Sequence, residues 1–346
     1  MHRRRKNSSD SESSAIGGDK GSPERIARAI SLIQQVCDIA APRNYLAETR
    51  EYLINAGIVA AVANHDTPAL FRWLMEIISY QGIADRIARD YLDRHGRAQW
   101  ADVEEGLRRP DPCPKLATYW TFHGCGYRKS ACSCAVPLRL PRCIVPALPM
   151  RNGRLAQSAV ALYLFLRDVC GGDFIDWIDD HLIQSNEPNA APIIDALRHI
   201  HGVSDKVLSL ALVVLLLGGR PGDSLWQAVG AELIVIDTLV HNWLHRTGIL
   251  HDLDARHRYG PKCYAPNGCA EILRRAALRI DARRYGADNP PAFPRLIQSA
   301  IWRFCAADAF DICNGNRIDD RKPCSGAGCP IMGYCGRVAL WNQRPA

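Results

Sequence analysis

The sequence predicts an almost wholly α-helical protein, and three observations carry that prediction. Apolar residues recur at three- and four-residue spacing through most of the chain. Strand-like alternation is scarce, and Pro, Gly and Cys gather in a few stretches between the periodic ones. The 346 residues are 47% hydrophobic, enough for one large domain or two smaller ones. A net charge of +7 suits a polyanionic partner without requiring one.

Residues 1–24, which include Arg3-Arg4-Arg5-Lys6, are polar and lack an apolar core, so a disordered tail and no secretory signal are predicted. "ERIARAISLIQQVCDIAA" reads as the first long helix. Thr67-Pro68, as cap and first turn, opens two helices that break near Gly82. "WADVEEGL" is a short helix. Residues 110–152 then lose all periodicity and read as an irregular Cys-rich insertion. Helices resume with "RLAQSAVALYLFLRDVC". From Ile193 an amphipathic stretch reaches a break at His201 to Asp205. An apolar run headed by Lys206 follows and ends at Leu217. That run is far short of the ~20 residues a membrane span needs, so no membrane partner is expected. Arg258 to Cys269 and the final thirty-odd residues read as loops.

With no export signal in view, the chain is expected to be cytoplasmic (nucleoid-associated) or nuclear and not secreted. Its 14 cysteines are then more readily metal ligands than disulfides. Cys37, Cys170 and Cys305 stand alone in helical text and read as buried small apolar residues. Cys313, Cys324, Cys329 and Cys335 are spaced C-x10-C-x4-C-x5-C, a four-thiolate set for a [4Fe–4S] cluster or tetrahedral zinc. Cys305 competes as first ligand but lies inside a helix. In the insertion, Cys125, Cys132, Cys134 and Cys143, with Cys113 and His123 nearby, suit an additional zinc or a second cluster. Tyr119, Trp120, Phe122, Tyr127, Arg128 and Lys129 interleave with them. They would either stack on a base and hold phosphates or form the core of a metal-stapled loop. Cys263 and Cys269 are candidates to complete a site with the insertion.

The break before Lys206 has its own chemistry. A tight Gly-containing turn between two helices points backbone N–H groups outward, and the second helix adds its positive end. Together they make a phosphate site. A lysine at an apolar helix mouth tends to lose its proton through burial and become a nucleophile. Asp237 follows the apolar residues 233–236 and precedes Thr238, which predicts a helix start that favours the ionised carboxylate. A surface lysine and an ordinary capping aspartate fit these residues as well.

"LRHIHGVSDKVLSLAL" followed by "VIDTLVHNWLHRTG" resembles the helix-hairpin-helix DNA glycosylase superfamily of the endonuclease III and 8-oxoguanine glycosylase type. The resemblance implies a two-lobed fold, with 25–64 and 218–346 in one lobe and 65–217 in the other. It makes Lys206 the lyase nucleophile and Asp237 the catalytic carboxylate. Ser79-Tyr80-Gln81 resembles the family's S-x-Q motif, which implies that Gln81 fills the duplex gap left by a flipped base. Gly202 and Ser204 would grip the DNA backbone. Ser204 stands where the family has its second glycine, and a positive φ there would cost about 1 kcal/mol or more. "GGRPGDSLWQAVG" reads as an extra loop between Lys206 and Asp237. The segment "RKPCSGAGCPIMGYC" is similar to the family's iron–sulfur terminus. This implies a [4Fe–4S] cluster that shapes a basic finger carrying Arg317, Arg321 and Lys322. The function implied is excision of a damaged or modified base from double-stranded DNA by a monomer, with Schiff-base strand nicking. A monofunctional glycosylase and a non-catalytic, redox-sensing iron–sulfur DNA-binding protein are the alternatives.

Overall fold

The structure, a computed structural model, describes residues 22–81, 83, 85–110, 113, 125–134, 137–183, 189–315, 317–326 and 328–340. It is all-helical, with fifteen α-helices and no strand among the described residues beyond one isolated antiparallel bridge between Arg128 and Ser133.

The chain enters α1 (Pro23–Ala40) with Ser22 as N-cap and Pro23 at its start. The helix therefore begins at Pro23, taking in the last two residues of the stretch expected to be tail; Arg3 to Lys6 lie outside the described residues. α2 (Tyr45–Asn55) and α3 (Ile58–Ala63) follow. Asp66, not Thr67, caps α4 (Thr67–Ser79), its carboxylate accepting from the Ala69 N–H at 3.0 Å. The Thr67 hydroxyl instead accepts the Phe174 N–H at 3.0 Å, so this apparent capping residue is used as a tertiary contact. The expected break falls between α4 and α5 (Asp85–His95); Gly82 itself lies outside the described residues. α6 (Trp100–Arg108) precedes the insertion.

The described part of the insertion is irregular, as expected. It forms three short 3-10 turns, 129–131, 137–142 and 145–147. It is nevertheless anchored: Tyr127, Ile144, Val145, Leu148 and Met150 are buried in the main core. Gly106 makes this docking fit, because a Cβ there would lie 2.4 Å from Ile144.

α7 (Gly153–Asp168) is buried on nearly every face and packs on α4 and α6. α8 (Phe174–Ile183) and α9 (Ala191–Leu197) lead to the turn before α10 (Asp205–Gly218). Its apolar run explains its role: α10 contacts α2, α4, α9 and α11 (Ser224–Glu232). The segment read as an extra loop thus contains a capped helix, with Asp223 accepting the Leu225 and Trp226 N–H groups. α12 (Thr238–Arg246), α13 (Ile249–Asp252) and α14 (Cys269–Ala277) complete the second half, and α15 (Pro294–Cys305) packs on α1, α11, α12 and α14. One apolar core runs through both halves. No described helix is long and apolar enough to cross a membrane.

Candidate active site and metal centres

Asp237 caps α12, as the flanking residues predicted. Its extended backbone lets Oδ1 accept the Val240 N–H at 3.0 Å, while Oδ2 lies 3.9 Å from Lys206 Nζ. The two residues sit at the starts of α10 and α12, so the fold brings together a pair thirty-odd positions apart in sequence. One expectation fails here. Lys206 is not sunk in the apolar run; its side chain is 49% exposed. It stands in the first turn of α10, before that helix enters the core.

The turn before Lys206 is built around Gly202, at φ 80°. A Cβ there would lie 2.6 Å from Ser158 Oγ, and that hydroxyl donates to the His201 carbonyl at 2.7 Å. Glycine is required on both counts. Ser204 overturns the strain expected of it. Its φ is −90° and ψ 150°, ordinary extended backbone that serine enters freely, because it serves as the N-cap residue of α10.

Gln81 reaches the same turn from just beyond α4. Its Nε2 donates to the Gly202 carbonyl at 2.8 Å, and its Oε1 accepts the Ser204 N–H at 3.0 Å. Both ends of the amide clamp the turn. Arg151 donates to the Gln81 carbonyl, and the exposed Arg154 borders Gly202. These two arginines and Ser158 were missed in the sequence, where they lie at the seam between the insertion and α7 with no motif to mark them.

The C-terminal thiols lie in one another's electrostatic field, but no three of them bring their sulfurs within 4.8 Å of one another. Cys335 lies in the field of Cys313, Cys329 and Cys324, and burial, the larger cause, pushes it up. The Gly326 N–H donates to Cys324 Sγ at 3.3 Å and the Arg337 N–H to Cys335 Sγ at 3.4 Å, the contacts that thiolate ligands receive. Arg246, 3% exposed, donates to the Cys313 carbonyl at 3.2 Å and pairs with Asp320. Its Nε is buried without a partner. Four thiolates around either a [4Fe–4S]2+ cluster or Zn2+ leave about two negative charges, and a buried guanidinium beside them fits that donor set. Cys305, inside α15 as expected, is fully buried; burial first, and then its hydrogen bond to Cys313, push its thiol up. That bond and Arg246 bring Cys313 down to about 7 against its own burial.

The basic loop is less free than its composition suggested. Arg317 pairs with Asp311 at 2.9 Å and Lys322 with Asp319 at 3.7 Å, both in the open, whereas Asp320 turns inward to Arg246. Arg321 is exposed.

In the insertion, Cys143 lies in the field of Cys125, Cys113 and Cys134, and burial before these neighbours pushes it up to about 11. Cys113 thus joins this group, while Cys132 is exposed at the edge of a turn with φ 43°. Lys129 does not offer itself to phosphates: its Nζ bonds the Tyr91 hydroxyl at 3.1 Å and the Met150 carbonyl. With Tyr127 buried, the described residues follow the core reading of this segment. Tyr119, Trp120, Phe122 and His123 lie outside them.

Cys263 and Cys269 do not join the insertion. They converge with His241 and His257, all four ligand atoms lying within 4.8 Å of one another, a group that could hold a metal ion. Sequence reading missed it because the histidines sit one in a helix and one in a loop, with no short spacing to link them. The same loop brings Tyr264, whose hydroxyl accepts the Ile236 N–H at 2.9 Å, to the residue before Asp237. Comparison of the chain with protein-family models, curated proteins and solved structures gives no match to any of them.

Proposed function

We propose that this chain is a DNA base-excision enzyme with AP lyase activity. The observation that carries the reading is the 3.9 Å approach of Lys206 Nζ to Asp237 Oδ2 directly beside the Gly202 turn. An amine and a carboxylate beside a turn of this kind suit removal of a base from a sugar with Schiff-base capture of C1′. The resemblance to helix-hairpin-helix glycosylases supplies the context for it.

In this reading the start of α10 and its positive end bind a phosphate next to the lesion. The target base leaves the stack. Gln81 swings from the turn into the gap, and a phosphate oxygen takes the Ser204 N–H that it vacates. DNA covers Lys206 and desolvates its amine. Asp237 stabilises the oxocarbenium-like sugar as the glycosidic bond breaks and accepts a proton from Lys206. The amine adds to C1′, and the base departs with the glycosidic electron pair and a proton. The nitrogen lone pair then expels O4′, which takes up a proton as the sugar ring opens, and the Schiff base so formed loses a C2′ proton and expels the 3′ phosphate, which nicks the strand. Cys313, Cys324, Cys329 and Cys335 would hold a [4Fe–4S] cluster whose part is structural, fixing the loop that carries Arg317, Arg321 and Lys322.

Borohydride reduction on an abasic-site duplex tests this. A covalent adduct that disappears in Lys206→Ala is expected. Release of base from a panel of lesion duplexes with neither adduct nor nicking would favour a monofunctional enzyme. Duplex binding with neither adduct nor base release would favour a non-catalytic binder.

A further inference from the structure

We propose that His241, His257, Cys263 and Cys269 form a closed, structural zinc site, separate from the C-terminal thiols and from the insertion. His241 Nδ1 lies 3.4 Å from Cys269 Sγ and 3.5 Å from Cys263 Sγ, and His257 Nε2 lies 3.3 Å from Cys269 Sγ. Zinc bonds of about 2.3 Å to sulfur and 2.0–2.1 Å to nitrogen, set tetrahedrally, give sulfur–nitrogen edges of about 3.5 Å. The observed separations are those of a tetrahedron's edges. They are poorly suited to hydrogen bonding, since one Nδ1 cannot point a single lone pair or proton at two sulfurs.

The surroundings agree. His257 Nδ1 donates to the Ala255 carbonyl at 2.6 Å, which fixes the tautomer that leaves Nε2 free to ligate. His241, Cys263 and Cys269 are each 0% exposed. Without a metal these are polar groups buried at a cost in an apolar core. On zinc binding the two thiols release their protons to solvent. Two thiolates and two neutral imidazoles cancel the charge of Zn2+, so the site is neutral and needs no counter-ion. The four-thiolate group at the C-terminus is different, and it alone has a buried arginine beside it. Four protein ligands in a buried pocket leave no open position for substrate, so the ion's role is to join α12 to the 255–269 loop. That loop carries Tyr264, which pins the peptide of Ile236.

The inference is independent of base excision, and metal readouts test it on the full chain. The Cys263→Ser/Cys269→Ser double variant is expected to hold about one zinc fewer per chain than the parent, while Cys324→Ser/Cys329→Ser leaves that ion in place. After zinc is exchanged for cobalt, the parent should give the tetrahedral visible bands of a site with two thiolates. His257→Cys keeps four ligands and therefore the fold, and should strengthen the thiolate-to-cobalt charge-transfer band. Unchanged zinc in the double serine variant, a cobalt spectrum indifferent to His257→Cys, or an intact mass about 2 Da low from a Cys263–Cys269 disulfide would each overturn the assignment.

Discussion

Replacing Gln81 with leucine should loosen the turn before Lys206 without disturbing the rest of the fold. The substitution keeps the bulk of the side chain and removes two hydrogen bonds, 2.8 Å to the Gly202 carbonyl and 3.0 Å to the Ser204 N–H. Each neutral bond is worth about 1 kcal/mol net, so the local loss is about 2 kcal/mol. At 1.4 kcal/mol per tenfold, the opening equilibrium of the turn rises by roughly thirtyfold. Ser204 is exposed, and water partly replaces the lost partner, which sets a floor of roughly fivefold. Arg151 bonds the backbone carbonyl of Gln81 and survives the change, so residue 81 itself stays in place. Native-state amide exchange reads the effect at Val207 and Leu208, whose N–H groups both bond the Ser204 carbonyl. Amides in the middle of α7 serve as the control. Exchange at Val207 and Leu208 that stays within twofold of the parent would refute the clamp. Uniform acceleration that includes α7 would show instead that the side chain supports the whole core.

Asp237 separates its two roles by substitution. Asp237→Asn keeps a capping oxygen for Val240 and should leave thermal stability nearly unchanged, yet lower base release by about a hundredfold or more through loss of the charge. Asp237→Ala should in addition cost about 1 kcal/mol, read by denaturant unfolding. His245 carries a pH signature. Burial, and then the neighbouring His241, hold its pKa down at about 4, below the ordinary ~6.5 of the unfolded chain. The unfolded state therefore binds the extra proton first; this contribution is full above about pH 6.5 and is lost as pH falls towards 4. Melting temperature against pH should be less steep over that window in His245→Gln. Chain prepared without oxygen should be brown with absorbance near 400 nm, and Cys329→Ala should lose that colour; a colourless parent binding zinc there would contradict the cluster. In the proposed reading Arg246→Met should destabilise the C-terminal segment by about 2 kcal/mol, because the buried guanidinium's bonds to the Cys313 carbonyl and to the half-exposed Asp320 are lost, and the thiolates lose their counter-charge.

The helical character was legible in the sequence because its cause is local. Three- and four-residue apolar spacing marks α1, α4 and α7, and the Asp237 cap needs only its own neighbours. The Lys206 turn was visible for the same reason, since Gly202 and the apolar run after it are a short contiguous signal. Distance along the chain decided what was missed. The sequence offered Cys263 and Cys269 a partner in the insertion, and packing of the 255–269 loop against α12 gave them His241 and His257 instead. Lys206 was expected to be buried by the greasy residues that follow it, yet its exposure depends on where α10 enters the core. Ser204 was judged on a dihedral that only the folded turn could assign. Composition and periodicity fix which segments coil and which side of each is apolar. Which polar atoms meet follows from how those apolar sides close on one another, and that is settled by the whole core at once.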